Sequence, residues 1–292
     1  MKRKENSMEA EKLLINADWT LSEQEFLYFK QLIGEIAGIS LSEKKKELVK
    51  SRLVMYIQSL KLNSFEEYLL FLQKLPSESP YWQEFVNLLT TNKTDFFREA
   101  KHFEYVVEKF IPEWLKTGEK VLKVWSAAAS TGEEAYSLAM LLKKHLPAGK
   151  DFQILATDID THVLEVAKNG VYPIVKLDEI PTEYRKDSLA IGTGEVANWF
   201  RIKSSLKQKI TFKQHNLLEV ADVPDKSFDL VFCRNVLIYF AKDTISLVVN
   251  NLEQKTKSNG LLFIGHSESL QGIDSKWKTT SPSVYKLTAF KG

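Results

Sequence analysis

The sequence predicts an α/β fold with a mostly parallel sheet over residues 91–292, preceded by an N-terminal all-α helical domain over residues 1–90. Three observations predict it. After Thr90, apolar runs of strand length alternate with helical patterns, as in a parallel sheet covered on both faces. Before Thr90 the apolar residues recur only at helical spacing. The polar residues of chemical interest follow the apolar runs, where an open sheet presents its ligand crevice.

The elements follow in order. Ser22 and Glu25 have the form of a capping box. Phe26, Phe29, Ile33 and Ile36 then mark one helical face, and Gly38 suits the stop. A second helix is expected from Ser42, with Val49, Leu53, Tyr56 and Leu60 inward. Ser64 and Glu67 repeat the capping box ahead of Phe65, Leu69 and Leu72. Ser79-Pro80 opens a fourth helix carrying Trp82, Phe85 and Leu89. Beyond Thr90, helix is expected around Phe103–Leu115, strand at Val121–Ser126 and helix at Glu133–His145. Strand at Phe152–Thr157 and helix at Asp160–Lys168 come next, with Asp160 as N-cap. Strands at Phe228–Cys233, Leu261–Gly265 and Val284–Leu287, with a helix at Asp243–Lys257, complete the pattern. Between Gly170 and Asn216 the alternation breaks. Asn198–Lys203 and Lys209–Phe212 read as a short β-ribbon in a small inserted β-subdomain, about 171–215.

Composition narrows the function classes. Apolar residues make up 44% of the 292, enough for real cores. A net charge of +2 does not mark the whole molecule as a polyanion binder, and no nucleic-acid motif is present. The single cysteine, Cys233, excludes an internal disulfide framework and reads as a packed thiol. His102, His145, His162, His215 and His266 show no metal-ligand spacing, and no metal is expected. The basic N-terminus MKRKENSMEAEK lacks the apolar stretch of a signal peptide, and no apolar run approaches a membrane span. A cytoplasmic monomer without membrane insertion is the expectation.

The stretch KVWSAAASTGEEAYSLAMLL, Lys123–Leu142, runs from strand through very small residues into helix. It lacks G-x-x-x-x-G-K-[ST], and it carries Glu133 and Glu134 where a pyrophosphate would be repelled. S-adenosylmethionine has no phosphate and bears a cationic sulfonium and amine, so acidic groups near this turn favour it. Asp158, after the second strand, can accept from ribose hydroxyls as the acidic residue of dinucleotide folds does. Each feature has a plainer reading. Glu133 and Glu134 can oppose the helix dipole, Asp158 can cap the next helix, and Ser126–Ser130 can be a packed turn. Polar clusters at Ser126–Glu134, Asp158, Arg234-Asn235 and His266-Ser267-Glu268, each after a strand, favour a site. Asn92, Thr94 and Arg98, in the linker LLTTNKTDFFREAKHFEYV, are placed to project into it from another side.

The motifs TTNKTDFFRE, VWSAAASTGEEAYSLAM, ATDID, HNLLE, FDLVFCRNVLIYF and GLLFIGHSES occur in the order seen in chemotaxis receptor glutamate O-methyltransferases, and the chain resembles that family over about residues 20–288. The resemblance implies a Rossmann-like methyltransferase domain with an inserted β-subdomain. It implies transfer of a methyl group from S-adenosylmethionine to glutamate side chains on chemoreceptor cytoplasmic helices, leaving S-adenosylhomocysteine. It assigns cofactor contacts to Asn92, Thr94, Arg98, Glu134, Asp158, Asn216, Leu217, Arg234 and Asn235, with Glu133 beside them. Arg98 and Tyr239 are the expected catalytic residues, Arg98 steering the carboxylate acceptor and Tyr239 holding one of its oxygens or the sulfonium side. The acceptor is ionised at neutral pH, so no general base or metal is required. The basic stretch SEKKKELVKSR, residues 42–52, is either a solvated face or a surface that steers toward an acidic receptor bundle. The β-subdomain near Ala190–Phe212 resembles the part that in some members takes a receptor C-terminal peptide by strand addition. Two other readings remain: a methyltransferase for another protein or small acid, and a non-catalytic cofactor-sensing module.

Overall fold

Ser22 starts the first helix as its sequence dictates. Its hydroxyl accepts from the Glu25 amide at 3.2 Å, and the Glu25 carboxylate accepts from the Ser22 amide at 2.7 Å. The computed structural model describes residues 19–288, so the basic stretch MKRKENSMEAEK, read as no signal peptide, and the first 18 residues of the expected helical domain lie outside the described residues. The described residues form two compact units, one of residues 19–36 with Ser40–Leu89, the other of Ala37–Ile39 with residues 90–288.

The first unit has four α-helices among the described residues: α1 (Glu23–Ala37), α2 (Lys46–Ser59), α3 (Phe65–Gln73) and α4 (Pro80–Leu89). A 3-10 turn at Glu43–Lys45 precedes α2, and Ser42 makes no side-chain cap there. Val49, Leu53 and Ile57 form the buried stripe of α2. Tyr56 and Leu60, expected inward, are only half-buried, because Ile57 continues the i, i+4 row that Val49 and Leu53 begin. Ser64 caps α3 by accepting from the Glu67 amide at 3.1 Å, a contact worth about 1 kcal/mol. The Glu67 carboxylate takes the amide of Asn63 instead of Ser64, at 2.8 Å. Phe29 gathers the core, with its ring 6.0–6.2 Å from those of Phe65, Tyr68 and Phe85. On the basic stretch, Lys46 pairs with Glu23, and Glu43 is held by Lys30 at 2.9 Å.

The second unit opens with a helical run: α5 (Ala100–Tyr105), a π-helical turn (Val106–Phe110) and α6 (Ile111–Leu115). The wide turn falls just before Pro112, which has no amide to continue the regular ladder. Then come β1 (Val121–Ala127), α7 (Glu133–His145), β2 (Asp151–Asp158) and α8 (Thr161–Asn169). Asp160 caps α8, accepting from the amides of His162 and Val163 at 2.9 and 3.3 Å. After β3 (Val171–Pro173) follow α9 (Thr182–Ser188), β4 (Leu189–Ile191), β5 (Trp199–Ile202), α10 (Ser204–Lys207), β6 (Ile210–Gln214) and β7 (Phe228–Phe232). Next are α11 (Lys242–Lys255), β8 (Thr256–Phe263), β9 (Trp277–Ser281) and β10 (Val284–Leu287).

The main sheet has the order β6-β2-β1-β7-β8-β10-β9. Its first five strands are parallel, and β10 runs antiparallel to β8 and β9. Period-two alternation assigns its two faces. Leu122, Val124, Leu230, Phe232, Leu261 and Phe263 pack in one core with Leu138 and Leu142 of α7. Trp125, Ala127, Val231, Cys233, Leu262 and Ile264 pack in another with Val248, Val249 and Leu252 of α11. The order reverses between β1 and β7, the topological switch point at which such sheets take ligands.

The ribbon expected from Asn198–Lys203 and Lys209–Phe212 does not form. Trp199–Ile202 is the central strand of a separate small sheet, order β3-β5-β4, and Ile210–Gln214 pairs in parallel with β2 at the edge of the main sheet. The small sheet's hairpin joins β4 to β5, where Gly192 donates to the Trp199 carbonyl at 2.9 Å. A Cβ at Gly192 would fall 1.9 Å from the Val196 carbonyl oxygen, so the turn requires glycine. β9 was not expected. It is a polar edge strand in which only Trp277 is buried.

Candidate active site

The turn after β1 is built from small residues in uncommon backbone conformations. Ala128 has φ 105°, Ser130 φ 49° and Gly132 φ 95°. The amides of Ala128 and Ala129 donate to the Thr157 carbonyl at 2.9 and 2.8 Å, folding the turn over the end of β2. Phe97, Glu99 and Asn235, in the linker and after β7, are also left-handed. Such conformations cost of order 1 kcal/mol each and collect where a site fixes its backbone.

Two hydrogen-bonded groups line the carboxyl ends of the strands. In the first, Asp158 accepts from the Ser130 amide at 2.8 Å and the Asp160 amide at 3.0 Å. The Ser130 hydroxyl donates to the Asn92 carbonyl at 2.8 Å, and the Asn92 amide group donates to Asp160 at 2.6 Å. Burial pushes the Asp158 carboxyl up to about 6, against the amides of Asp160, Ser130 and Ile159.

The second group surrounds Arg234. Its guanidinium, 2% exposed, reaches Glu134 at 3.2 Å and Glu99 at 2.9 Å and also donates to the Arg98 carbonyl. Glu134 accepts from the Ser126 hydroxyl at 2.7 Å. Glu99 accepts from the Asn235 side chain at 3.1 Å and the His266 amide at 3.2 Å. Burial alone raises the Glu99 carboxyl, but Arg234, Asn235 and the His266 amide outweigh it and hold it at about 2. Burial raises Glu134, against Arg234 and Ser126. His102 Nδ1 lies 3.5 Å and His266 Nε2 3.9 Å from the same Glu99 oxygen. Burial, reinforced by Arg234, pushes His102 down to about 3, so it is neutral. These three side chains hold ligand-type atoms within 4.8 Å of one another, but Arg234 already neutralises the carboxylate they share.

The structure thus brings Glu134, Arg234 and Asn235 together, and Asn92 with Asp158. Glu133 and Glu134 part company. Glu133, 1% exposed, turns away to Lys176 of the inserted segment at 2.8 Å and to the Thr131 hydroxyl at 2.6 Å. Thr94 is half-buried, and its carbonyl accepts from Lys176 at 3.1 Å. Arg98 donates to the Lys93 carbonyl at 3.0 Å. Asn216 accepts from the Leu218 amide at 3.1 Å, and Leu217 is buried in the core that holds Trp125 and Ala127. Tyr239 stands half-buried on a 3-10 turn (Leu237–Tyr239) after β7. Glu99 and Lys176 were not singled out in the sequence, whereas Ser126 and Glu268 stood there only as members of polar clusters after strands. The one sequence signal for Glu268 was its place just after a strand.

The donor set suits a cationic nucleoside. Carboxylates at Glu134 and Asp158 flank a turn of small residues, and no lysine opens α7 to hold a phosphate. Residues 92–286 match the S-adenosylmethionine-binding domain of CheR methyltransferases, and residues 24–90 match the all-alpha domain of that family. The chain belongs to the CheR methyltransferase family. It is 38% identical to chemotaxis protein methyltransferase 2 of Pseudomonas aeruginosa, over 92% of this chain and 95% of that one. The Salmonella typhimurium chemotaxis protein methyltransferase is 39% identical, over 93% and 92%. That of Escherichia coli is 38% identical, over 92% of each. This CheR-family chain is therefore an S-adenosylmethionine-dependent methyltransferase. Among its described residues no helix is long and apolar enough to cross a membrane.

Proposed function

We propose that this methyltransferase esterifies glutamate side chains on chemoreceptor cytoplasmic helices, with the acceptor entering beside Arg98 and Tyr239. The observation that carries this reading is the carboxylate-lined rim built around one buried guanidinium, Arg234. Bound S-adenosylmethionine supplies an electrophilic methyl on a sulfonium. Glu134 and Asp158 favour positive charge at the rim, and Asp158 keeps acceptor capacity for ribose hydroxyls beyond the amides of Ser130, Ile159 and Asp160. Asn92 and Thr94 line the linker side, Asn216 and Leu217 flank the adenine, and Arg234 with Asn235 closes the far wall. Arg98 orients the acceptor carboxylate, already ionised at neutral pH, for in-line attack. In the small sheet, β4 is an edge strand that pairs with β5 alone among the described residues, and Ile191 is exposed beside that edge. A receptor C-terminal peptide adding to β4 as a further strand would tether the enzyme there.

Methyl-labelled cofactor should transfer label to receptor cytoplasmic fragments as base-labile ester. Base-stable label, or label on lysine, would overturn the reading. Asp158 supplies a second check. A ribose hydroxyl donates to the ionised carboxyl, so cofactor binding favours deprotonation. Affinity for S-adenosylhomocysteine should be flat above about pH 7 and weaken as pH falls through about 6, approaching tenfold per unit. Asp158→Asn should bind more weakly and lose this pH dependence. Calorimetry across pH in two buffers of different ionisation heat decides it, and a pH-independent wild-type affinity removes Asp158 from the ribose role.

A further inference from the structure

Behind the turn that carries Arg234, Asn235 and Tyr239 lies a carboxylate that methyl transfer leaves unused. Glu268 is nine-tenths buried. It accepts from the Asn235 amide at 2.9 Å and the Ile238 amide at 3.3 Å, and also from the amides of Gly265 and Leu237. β7 stops at Phe232 and β8 at Phe263, so these amides lie beyond the last residues of both strands. One side chain therefore joins the ends of two neighbouring strands. The packing is close. A Cβ at Gly265 would fall 2.4 Å from Asn235 Nδ2 and 2.9 Å from Glu268 Oε2. Asn235 holds φ 58°, a conformation that the carboxylate's hold on its amide helps to fix.

We propose that Glu268 is a positioning residue for methyl transfer: by gripping the amides of residues 235, 237 and 238 it fixes the turn that presents the Tyr239 hydroxyl to the acceptor. Both carboxylate oxygens are engaged by backbone amides, so Glu268 acts through the turn and not on the reacting groups. A misplacement of about 1 Å at a reacting centre costs on the order of a hundredfold in rate, and this clamp sets the position of a residue at that centre. The proposal rests on the assignment of Tyr239 to the acceptor side.

The test is a double-mutant cycle in the full chain. Glu268→Gln keeps the volume but points an amide NH2 at donors, unseating the turn. It should lower kcat on receptor fragments about 30- to 100-fold, well beyond any loss of cofactor affinity through Asn235. Val248→Ala, a core change on α11, supplies a variant of comparable melting-temperature loss and should keep kcat within twofold. In a Tyr239→Phe background, Glu268→Gln should cost less than threefold, because both changes act on the same hydroxyl. Full additivity, or a kcat loss no larger than that of Val248→Ala, overturns the proposal. Tyr239→Phe alone reads the underlying assignment: wild-type turnover in that variant sinks the role of Tyr239, whatever Glu268 does.

Discussion

Arg234→Met should destabilise the enzyme by about 3–5 kcal/mol at neutral pH, because it leaves Glu99 and Glu134 as unpaired carboxylates in a buried site. At about 2–4 °C per kcal/mol for a unit of this size, the melting temperature falls by roughly 10 °C. The pH dependence gives the mechanism. In the wild type, the Glu99 carboxyl is held at about 2, below its ordinary 4.5. Its contribution is therefore complete above about 4.5 and is lost as pH falls toward 2. In the variant, Asn235 and the His266 amide still favour the charged Glu99 and Ser126 the charged Glu134, but without Arg234 both carboxyls rise from their wild-type positions, so the folded state binds more protons than it does in the wild type. The variant then gains more stability than the wild type as pH falls toward the ordinary carboxylate range. The gap in melting temperature should be widest near pH 7–8 and narrow toward pH 5. Adding Glu134→Gln to Arg234→Met should recover part of the loss at neutral pH, since one uncompensated charge is removed. A gap below about 1 kcal/mol, or one that does not change with pH, would mean that Arg234 is not the charge balance of this site.

What the sequence revealed and concealed follows from the range of each interaction. Ser22 with Glu25 and Asp160 with His162 are contacts within three residues, so their helix starts were legible. Glu133–His145 begins at an acidic first turn and ends at a basic last one, and its bounds were read as the structure has them. β6 was misassigned because its partner is β2, more than fifty residues earlier, and nothing in ITFKQ itself chooses between a ribbon and a sheet edge. β9 escaped because an edge strand with one buried side chain lacks the apolar run that marks inner strands. The site divided in the same way. Glu134, Asp158, Arg234 and Asn235 follow strands, and that place alone put them forward as candidates. Glu99 sits in REAKHF, where a glutamate at a helix start reads as solvated, yet it meets Arg234 135 residues away. Lys176 lies in the insertion, and only the folded chain shows that it neutralises Glu133. A local pattern cannot encode a partner that distant.

Arg98→Ala should separate chemistry from folding. Arg98 is half-buried and donates to the Lys93 carbonyl, which can turn to solvent in its absence, so stability should change by no more than about 0.5 kcal/mol. Activity should fall far more. A charge-assisted hydrogen bond to a carboxylate contributes about 1.5–3 kcal/mol, roughly 10- to 100-fold in the step that uses it. Two carboxylates compete for the role, that of the cofactor's amino-acid end and that of the acceptor glutamate, and affinity measurements tell them apart. If Arg98 holds the cofactor, Arg98→Ala weakens S-adenosylhomocysteine by that factor and leaves methylthioadenosine, which has no carboxylate, unchanged. If it orients the acceptor, both nucleosides bind as before while kcat/KM for receptor fragments drops. Arg98→Lys keeps the charge but not the planar fork, so it should restore affinity more fully than turnover wherever geometry matters. Wild-type turnover in Arg98→Ala, with cofactor affinity also unchanged, would remove Arg98 from both roles and leave the acceptor to be oriented from the Tyr239 side of the crevice.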